Sequence, residues 1–336
     1  MAATQPVSRR GTLRVVSGEP ATETKDVVYR GVRIVDTFAE AFDMRAARVV
    51  ITAASATWAR TAAESMAGFA TSVIGCKVEA GIEAELAPGE TPDGRPGVSV
   101  LLFAFDADGL RSRLVDRIGQ SVLTCATTAC FDGLPEAAER VKVGAVLRHF
   151  GDRFQASKVV DGRRYWRIPV MDGEFLVQET FGIQPAIGGG NFLILAEDPD
   201  SALAAAEAAV HAMRAFRGVV LPFPGGIVRS GSKIGARHYK KLIASTNDPY
   251  CPTLRGRLGA ESALPDRVNA VLEIVVDGLD RRAIEHALAA GIDAACRSGV
   301  VQITAGNYGG KLGKHHFHLH QLLETAGEKA TPRRTQ

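Results

Sequence analysis

One carboxylate stands where an apolar strand would otherwise run unbroken. Residues 268–277 read VNAVLEIVVD, and two-residue alternation puts Asn269, Val271, Glu273 and Val275 on one face. A carboxyl group among such neighbours loses solvation, so its protonated form is favoured and it can donate a hydrogen bond near neutral pH. On an edge strand the same residue would simply point to water, and the residue types leave both readings open. Two glycine-rich loops offer a second kind of chemistry. Residues 222–236 read PFPGGIVRSGSKIGA and residues 304–314 read TAGNYGGKLGK. Each follows an alanine-rich helical stretch and a short strand that begins Gly-Val-Val. Ordered glycine costs extra backbone entropy, so this density speaks for backbone that turns with positive φ or lies against a ligand. Gly225, Gly226, Gly309 and Gly310 are the candidates for that approach. Arg229, Ser232, Lys233, Asn307, Tyr308 and Lys311 add donors and positive charge suited to an anionic ligand. Plain tight turns are the competing reading.

Other polar clusters are less specific. His316, His318 and His320 would share one strand face, with His315 beside them. Apart from Glu324, nothing nearby supplies a carboxylate or thiolate at ligand spacing, so a polar strand face is preferred to a metal site. Cys76, Cys125, Cys130, Cys251 and Cys296 are scattered and odd in number, without C-x-x-C spacing. That argues against a disulfide framework and suits a reducing compartment. Glu79 and Glu83 lie in EAGIE at helical spacing and read as a solvated face. No lysine stands in a Walker A frame, no G-x-G-x-x-G follows a strand in a dinucleotide context, and no G-x-S-x-G elbow occurs.

The elements that must position these groups follow a strand–helix–strand rhythm. Residues 48–54 read as a strand, 56–66 as a helix and 70–74 as a strand. Residues 98–105 alternate as a strand, Leu110, Leu114 and Ile118 form a helical stripe, and 121–125 close that unit. In the second half 191–196, 201–216 and 219–221 repeat the pattern and lead into the first glycine loop. Residues 268–277, 281–297 and 300–304 repeat it again and end at the second. Asp198-Pro199 supplies a helix start, with proline at the first helical position. Two βαβ units per half predict an α+β chain of two ferredoxin-like (split βαβ) α/β sandwich domains. Residues 143–150, 164–170 and 174–180 read as extra antiparallel strands between them, with Asp161-Gly162 as a hairpin turn. Thr37 to Glu40 fits a helix capping box. The expected division is an N-terminal extension over 1–28, a lobe over 29–170, a second lobe over 171–325 and a solvated tail over 326–336.

At 336 residues, with 46% hydrophobic and 23% charged residues, the chain can bury two ordinary cores. A formal net charge of +3 and 6% aromatics do not suit nucleic-acid binding. No apolar run approaches the ~20 residues that cross a bilayer. The first 25 residues lack the apolar core of a secretory signal and have a weak arginine-rich, acid-poor character to about Val16; the cytoplasm is the expected location. Arginine outnumbers lysine roughly three to one and alanine is abundant, a bias that points to a GC-rich bacterial genome.

The two glycine loops, with DTFAEAF (36–42), RVVITAA (48–54), GFATSVIGC (68–76), EAGIE (79–83), TPDGRPGV (91–98), RIGQSVLT (117–124) and GGGNF (188–192), resemble the formylmethanofuran:tetrahydromethanopterin formyltransferase family. The resemblance runs in order from about Val32 to His320. It implies a two-lobed α/β architecture and reversible transfer of a formyl group between methanofuran and tetrahydromethanopterin. These two coenzymes would be substrates, with no bound prosthetic group and no metal. It implies that Glu273 is the acid and that the loop holding Glu90, Asp93 and Arg95 walls the substrate cleft. Gln120, Thr127 and Thr128 would offer neutral hydrogen bonds to the pterin, and buried, satisfied hydroxyls are an equal reading for the threonines. A homo-oligomer, dimer or tetramer, is implied as well. In the bacterial case so are the other subunits of a formyltransferase/hydrolase complex, working from formaldehyde toward formate. A cofactor-binding or structural subunit of such a complex, without turnover, is the alternative.

Overall fold

The structure is a computed structural model and describes residues 26–329. Most of the expected extension and the end of the expected tail lie outside the described residues. Of their described parts, Val27–Tyr29 already pairs as a strand with Val32–Ile34, and the last helix, Leu319–Lys329, runs into the tail.

Two βαββαβ units form the body, an α+β architecture. In the first, strand Phe38–Thr52 is followed by helix Ala56–Ala67, strands Glu79–Leu86 and Gly97–Ala104, helix Ala107–Arg117 and strand Ala129–Asp132. Pairing places 38–52 between 129–132 and 97–104, with 79–86 outermost. The second unit repeats this with strand Thr180–Ala196, helix Pro199–Met213, strands Val219–Val220 and Ala270–Gly278, helix Arg281–Ala295 and strand Val300–Thr304. There 180–196 lies between 300–304 and 270–278, with 219–220 outermost. In both units the fourth strand lies beside the first, the order of a split βαβ. The four helices of these two units begin alike. Ser55, Asp106, Asp198 and Asp280 each accept a backbone N–H from the first helical turn, and Pro199 occupies the first turn of its helix.

The helices cover one face of each sheet, and the bare faces turn toward each other. On strand 97–104, Val98, Val100 and Leu102 pack under the helices of the first unit. Leu101 and Phe103 point the other way, into a shared core with Met44, Ala186, Val220 and Leu279. Burial on both faces explains why GVSVLLFA reads as an apolar run rather than an alternation. The two first strands also join directly, Phe42–Ala46 pairing antiparallel with Gln184–Gly188.

Several local expectations are corrected. Residues 73–76 form a helical turn instead of a strand, and the second strand of the unit is Glu79–Leu86. Residues 118–122 wind as a π-turn, so strand Ala129–Asp132 closes the unit in place of 121–125. Residues 144–151 are helical. Asp161 and Gly162, both at positive φ, turn the hairpin between Ala156–Val160 and Arg163–Val170. Thr37 to Glu40 is no capping box, because residues 38–52 are a strand. No helix among the described residues is long and apolar enough to cross a membrane.

Candidate active site

A cleft of about 740 Å³ opens along the seam between the two units. Glu273 lies on its wall. Strand 270–278 pairs with the second long strand on one side, and Val228 of the first glycine loop closes the other. Val228 N donates to Glu273 O at 2.7 Å, and Glu273 N to Val228 O at 2.9 Å. The residue therefore sits inside a sheet, and the hydrated edge is excluded. Ile274 and Val276 point into the apolar core, which leaves Glu273 and Val275 facing the cleft. Burial pushes the Glu273 carboxyl up to about 7. Tyr308 stands on the same cleft, and its phenol is raised by burial and then by the Glu273 and Glu40 charges.

The second glycine loop is built around a carboxylate that sequence reasoning missed. Glu40, on the first long strand, is 1% exposed. Its Oε2 accepts the Tyr308 and Gly310 amides at 2.6 and 2.9 Å, and its Oε1 those of Leu312 and Gly313, both at 2.6 Å. Burial alone would raise its pKa; the four amides outweigh it and hold the group below its ordinary value. Positive φ at Gly309 and Gly310 lets successive N–H groups converge on one acceptor. The only trace in the sequence is an acid flanked by small and aromatic residues, Phe38 to Phe42, at the start of a long strand.

A second missed group joins this loop to the GGGNF segment. Asn191 Oδ1 accepts Gly306 N at 2.6 Å, while its Nδ2 donates to Gly189 O and Gly306 O, each at 3.2 Å. Gly189, at φ 86°, marks the bulge where the second long strand shifts register.

Of the candidates named from sequence, Glu273, Ser232, Lys233, Asn307 and Tyr308 line this cleft. Lys233 is paired with Asp248, which also holds Arg237 at 3.3 Å. Asn307 uses its amide internally, donating to Thr37 Oγ1 at 3.0 Å and accepting Gly309 N at 3.1 Å. Gly225 borders a second hollow on the seam, and Gly226 packs against Val210 and Leu221. Arg229, Gly309 and Lys311 are exposed beside the cleft without lining it. Gly310 lies under the second loop against His316.

Asp93 and Arg95 are elsewhere. They bond each other at 2.8 Å, and both bond Thr52. Thr52 lies eight residues along the strand from Met44 of the cleft, roughly 26 Å at strand rise. Within one chain that loop does not wall this cleft. Gln120 is exposed beside the first unit's helices, and Thr128 spends its hydroxyl on Val122 O and Cys125 O. Glu79 and Glu83 lie on a strand and are buried, so the solvated helical face is corrected. Glu83 is fully engaged by Arg48, Ser99 and Gly218 N. The histidines have local partners: His315 bonds Asp43, His316 bonds Gly313 O, His320 bonds Ile34 O, and His318 packs on Phe38.

A cleft of mixed lining with a carboxyl raised by burial, ringed by amide-rich loops, suits acyl transfer between two bulky amines. Comparison with known proteins gives the family. Residues 27–170 match the model of formylmethanofuran-tetrahydromethanopterin formyltransferase, and residues 173–322 match that of its proximal lobe. The chain belongs to this formyltransferase family. It is 57% identical over 301 residues to the formyltransferase of Methylococcus capsulatus, covering 88% of this chain and 100% of that one. A component of the formyltransferase/hydrolase complex of Methylorubrum extorquens is 52% identical, covering 89% of this chain and 98% of that one. The solved structure of that complex with methylofuran aligns at a TM-score of 0.86 and 51% identity, over 89% of this chain and 99% of that one.

Proposed function

We propose that this formyltransferase moves a formyl group reversibly between the N5 of a tetrahydromethanopterin and the amine of methanofuran or a methylofuran-like coenzyme. Both coenzymes are substrates, and the reaction needs no prosthetic group. The acceptor nitrogen attacks the formamide carbon, and the carbonyl electrons move onto oxygen. Glu273 donates its proton, or a hydrogen bond, to that oxyanion. Collapse of the tetrahedral adduct returns the oxygen-bound proton to Glu273, restores the carbonyl and expels the donor nitrogen, which takes up the proton that the attacking amine released. Glu273 is the catalytic residue of this reading. The cleft-lining Ser232, Lys233 and Tyr308 hold the coenzymes, and the two glycine loops supply amides around them. The single observation behind the role of Glu273 is a carboxyl held on the cleft wall by a strand bonded on both sides, where little water reaches it.

The same reading runs the reaction from formaldehyde toward formate, in the cytoplasm; the name of the Methylorubrum extorquens relative, a formyltransferase/hydrolase complex subunit, supports a place within such a complex. A homodimer or tetramer of this chain, and a division into lobes near residue 170, belong to the same reading. Neither nucleic acid nor membrane is a partner in it. The test is incubation of the pure full-length chain with formylated pterin and methanofuran, followed by mass detection of the exchanged one-carbon unit. Transfer by the isolated chain is expected. Its absence in the isolated chain, with transfer by the intact complex, would favour a structural or cofactor-binding subunit.

A further inference from the structure

Glu79 and Asp277 meet across the seam, one from each unit, and the reaction above makes no use of them. Asp277 is fully buried, and Glu79 is 8% exposed on the cleft wall. Each accepts a single backbone amide. Val73 N donates to Glu79 Oε1 at 2.8 Å, and Gly189 N donates to Asp277 Oδ1 at 2.9 Å. The two carboxyls are each other's side-chain neighbours, with no basic group beside them among the described residues, and Asp277 Oδ2 is left without a donor. Gly188 leaves room beside Asp277. A Cβ on Gly188 would stand 2.1 Å from Met44 Sδ and 3.0 Å from Asp277 Oδ1.

Two ionised carboxylates are acceptors only and repel, so neither can satisfy the orphan oxygen. One proton between them turns the same contact into a hydrogen bond. We propose that Glu79 and Asp277 share one proton across the cleft floor, and that this hydrogen bond fixes the Ser72–Ile74 and Gly188–Gly189 walls against each other as positioning residues for the substrates. The proposal rests on the formyl-transfer reading of the cleft. Burial, followed by the Glu79 charge, raises Asp277 well above the ordinary carboxyl range, and burial also raises Glu79. The groups around the pair are few. Met44 on the first long strand is an uncharged thioether, and strand 219–220 brings only valines. Glu273 stands four residues along the same strand face, and Glu40 is occupied by its four amides.

Linkage fixes the sign. Above the ordinary carboxyl pKa the folded chain keeps a proton that the unfolded chain has released, so stability falls as pH rises toward the folded value. The experiment uses the full chain in an E273Q background for stability and the native background for kinetics. It compares wild-type pair, E79Q/D277N and E79A from pH 5 to 9. The double amide variant keeps donors and acceptors without a titrating proton, so its melting temperature should fall less steeply with pH than that of the wild-type pair. In kinetics, KM for the coenzymes should rise several-fold toward pH 9 with the native pair and stay flat in the double amide variant. E79A should raise KM more than fivefold at every pH. Infrared spectra of the E273Q chain should show the C=O stretch of a protonated carboxyl near neutral pH, which decides the question even where a variant does not fold. Absence of that band, equal pH slopes in the paired and double amide chains, or a wild-type KM in E79A would overturn the proposal. If the native chain transfers no formyl group, the reading of the cleft fails, while the stability and infrared arms still decide the pair.

Discussion

At the scale of single residues, two carboxyl groups at this cleft are tuned in opposite directions by elementary causes. Glu40 is buried against four amides, which hold it below its ordinary value; Glu273 is half-buried on the cleft wall, where lost solvation raises it to about 7. Their linkage to stability has opposite sign. Glu40 contributes stability above its ordinary pKa that is lost as pH falls through the depressed folded value. Glu273 contributes stability below its ordinary pKa that is lost as pH rises toward about 7. Removing the Glu40 carboxylate strands four loop amides, three of them at 2.6 Å from it. E40A should therefore cost at least ~2 kcal/mol and mobilise residues 306–313, as amide hydrogen exchange would measure. Protection of those amides unchanged from wild type would mean that the loop holds itself.

At the scale of elements, the GGGNF segment converts a long strand into a cleft wall. Gly188 admits Met44 and Asp277 on one face, and Gly189 takes the positive φ of the bulge. G188A should cost about 1–3 kcal/mol through overpacking against Met44, and it should weaken coenzyme binding as well. Thermal unfolding and KM check the two effects together; a fall in stability with KM intact would confine the residue to packing. The elements themselves were largely legible. The apolar runs at 97–104 and 270–278 and the Asp198-Pro199 helix start are short-range signals, and they predicted the paired split βαβ units. What was not legible depended on distant partners. The capping-box pattern at Thr37–Glu40 was overridden by a fifteen-residue strand, and Glu40 finds its amides some 270 residues away. Glu79 and Glu83 have helical spacing but belong to an outer strand whose acids find Val73, Arg48 and Gly218. The loop of Asp93 and Arg95 was assigned by resemblance, and its side chains close on Thr52 at the far end of the strand.

At the scale of the whole molecule, the cleft exists because two similar units turn bare sheet faces toward each other and leave a gap along the seam. Polar ties cross it from Glu83 to Gly218 N, from Glu40 to four amides of the second glycine loop and along the paired strands 42–46 and 184–188, with the Glu79–Asp277 contact beside them. Under the proposed function, the native protein should copurify with a metal-dependent amidohydrolase-like subunit; a lone, fully competent homotetramer from the same cells would speak against the complex. The central claim is narrower, that a protonated Glu273 drives formyl transfer. It is tested most directly by the pH dependence of kcat for formyl transfer in wild type and Glu273→Gln. The account predicts that wild-type kcat declines as pH rises through about 7 and that the variant, folded and still binding both coenzymes, loses at least a hundredfold at pH 6 with no such decline. A variant with wild-type kcat and the same pH profile would contradict it.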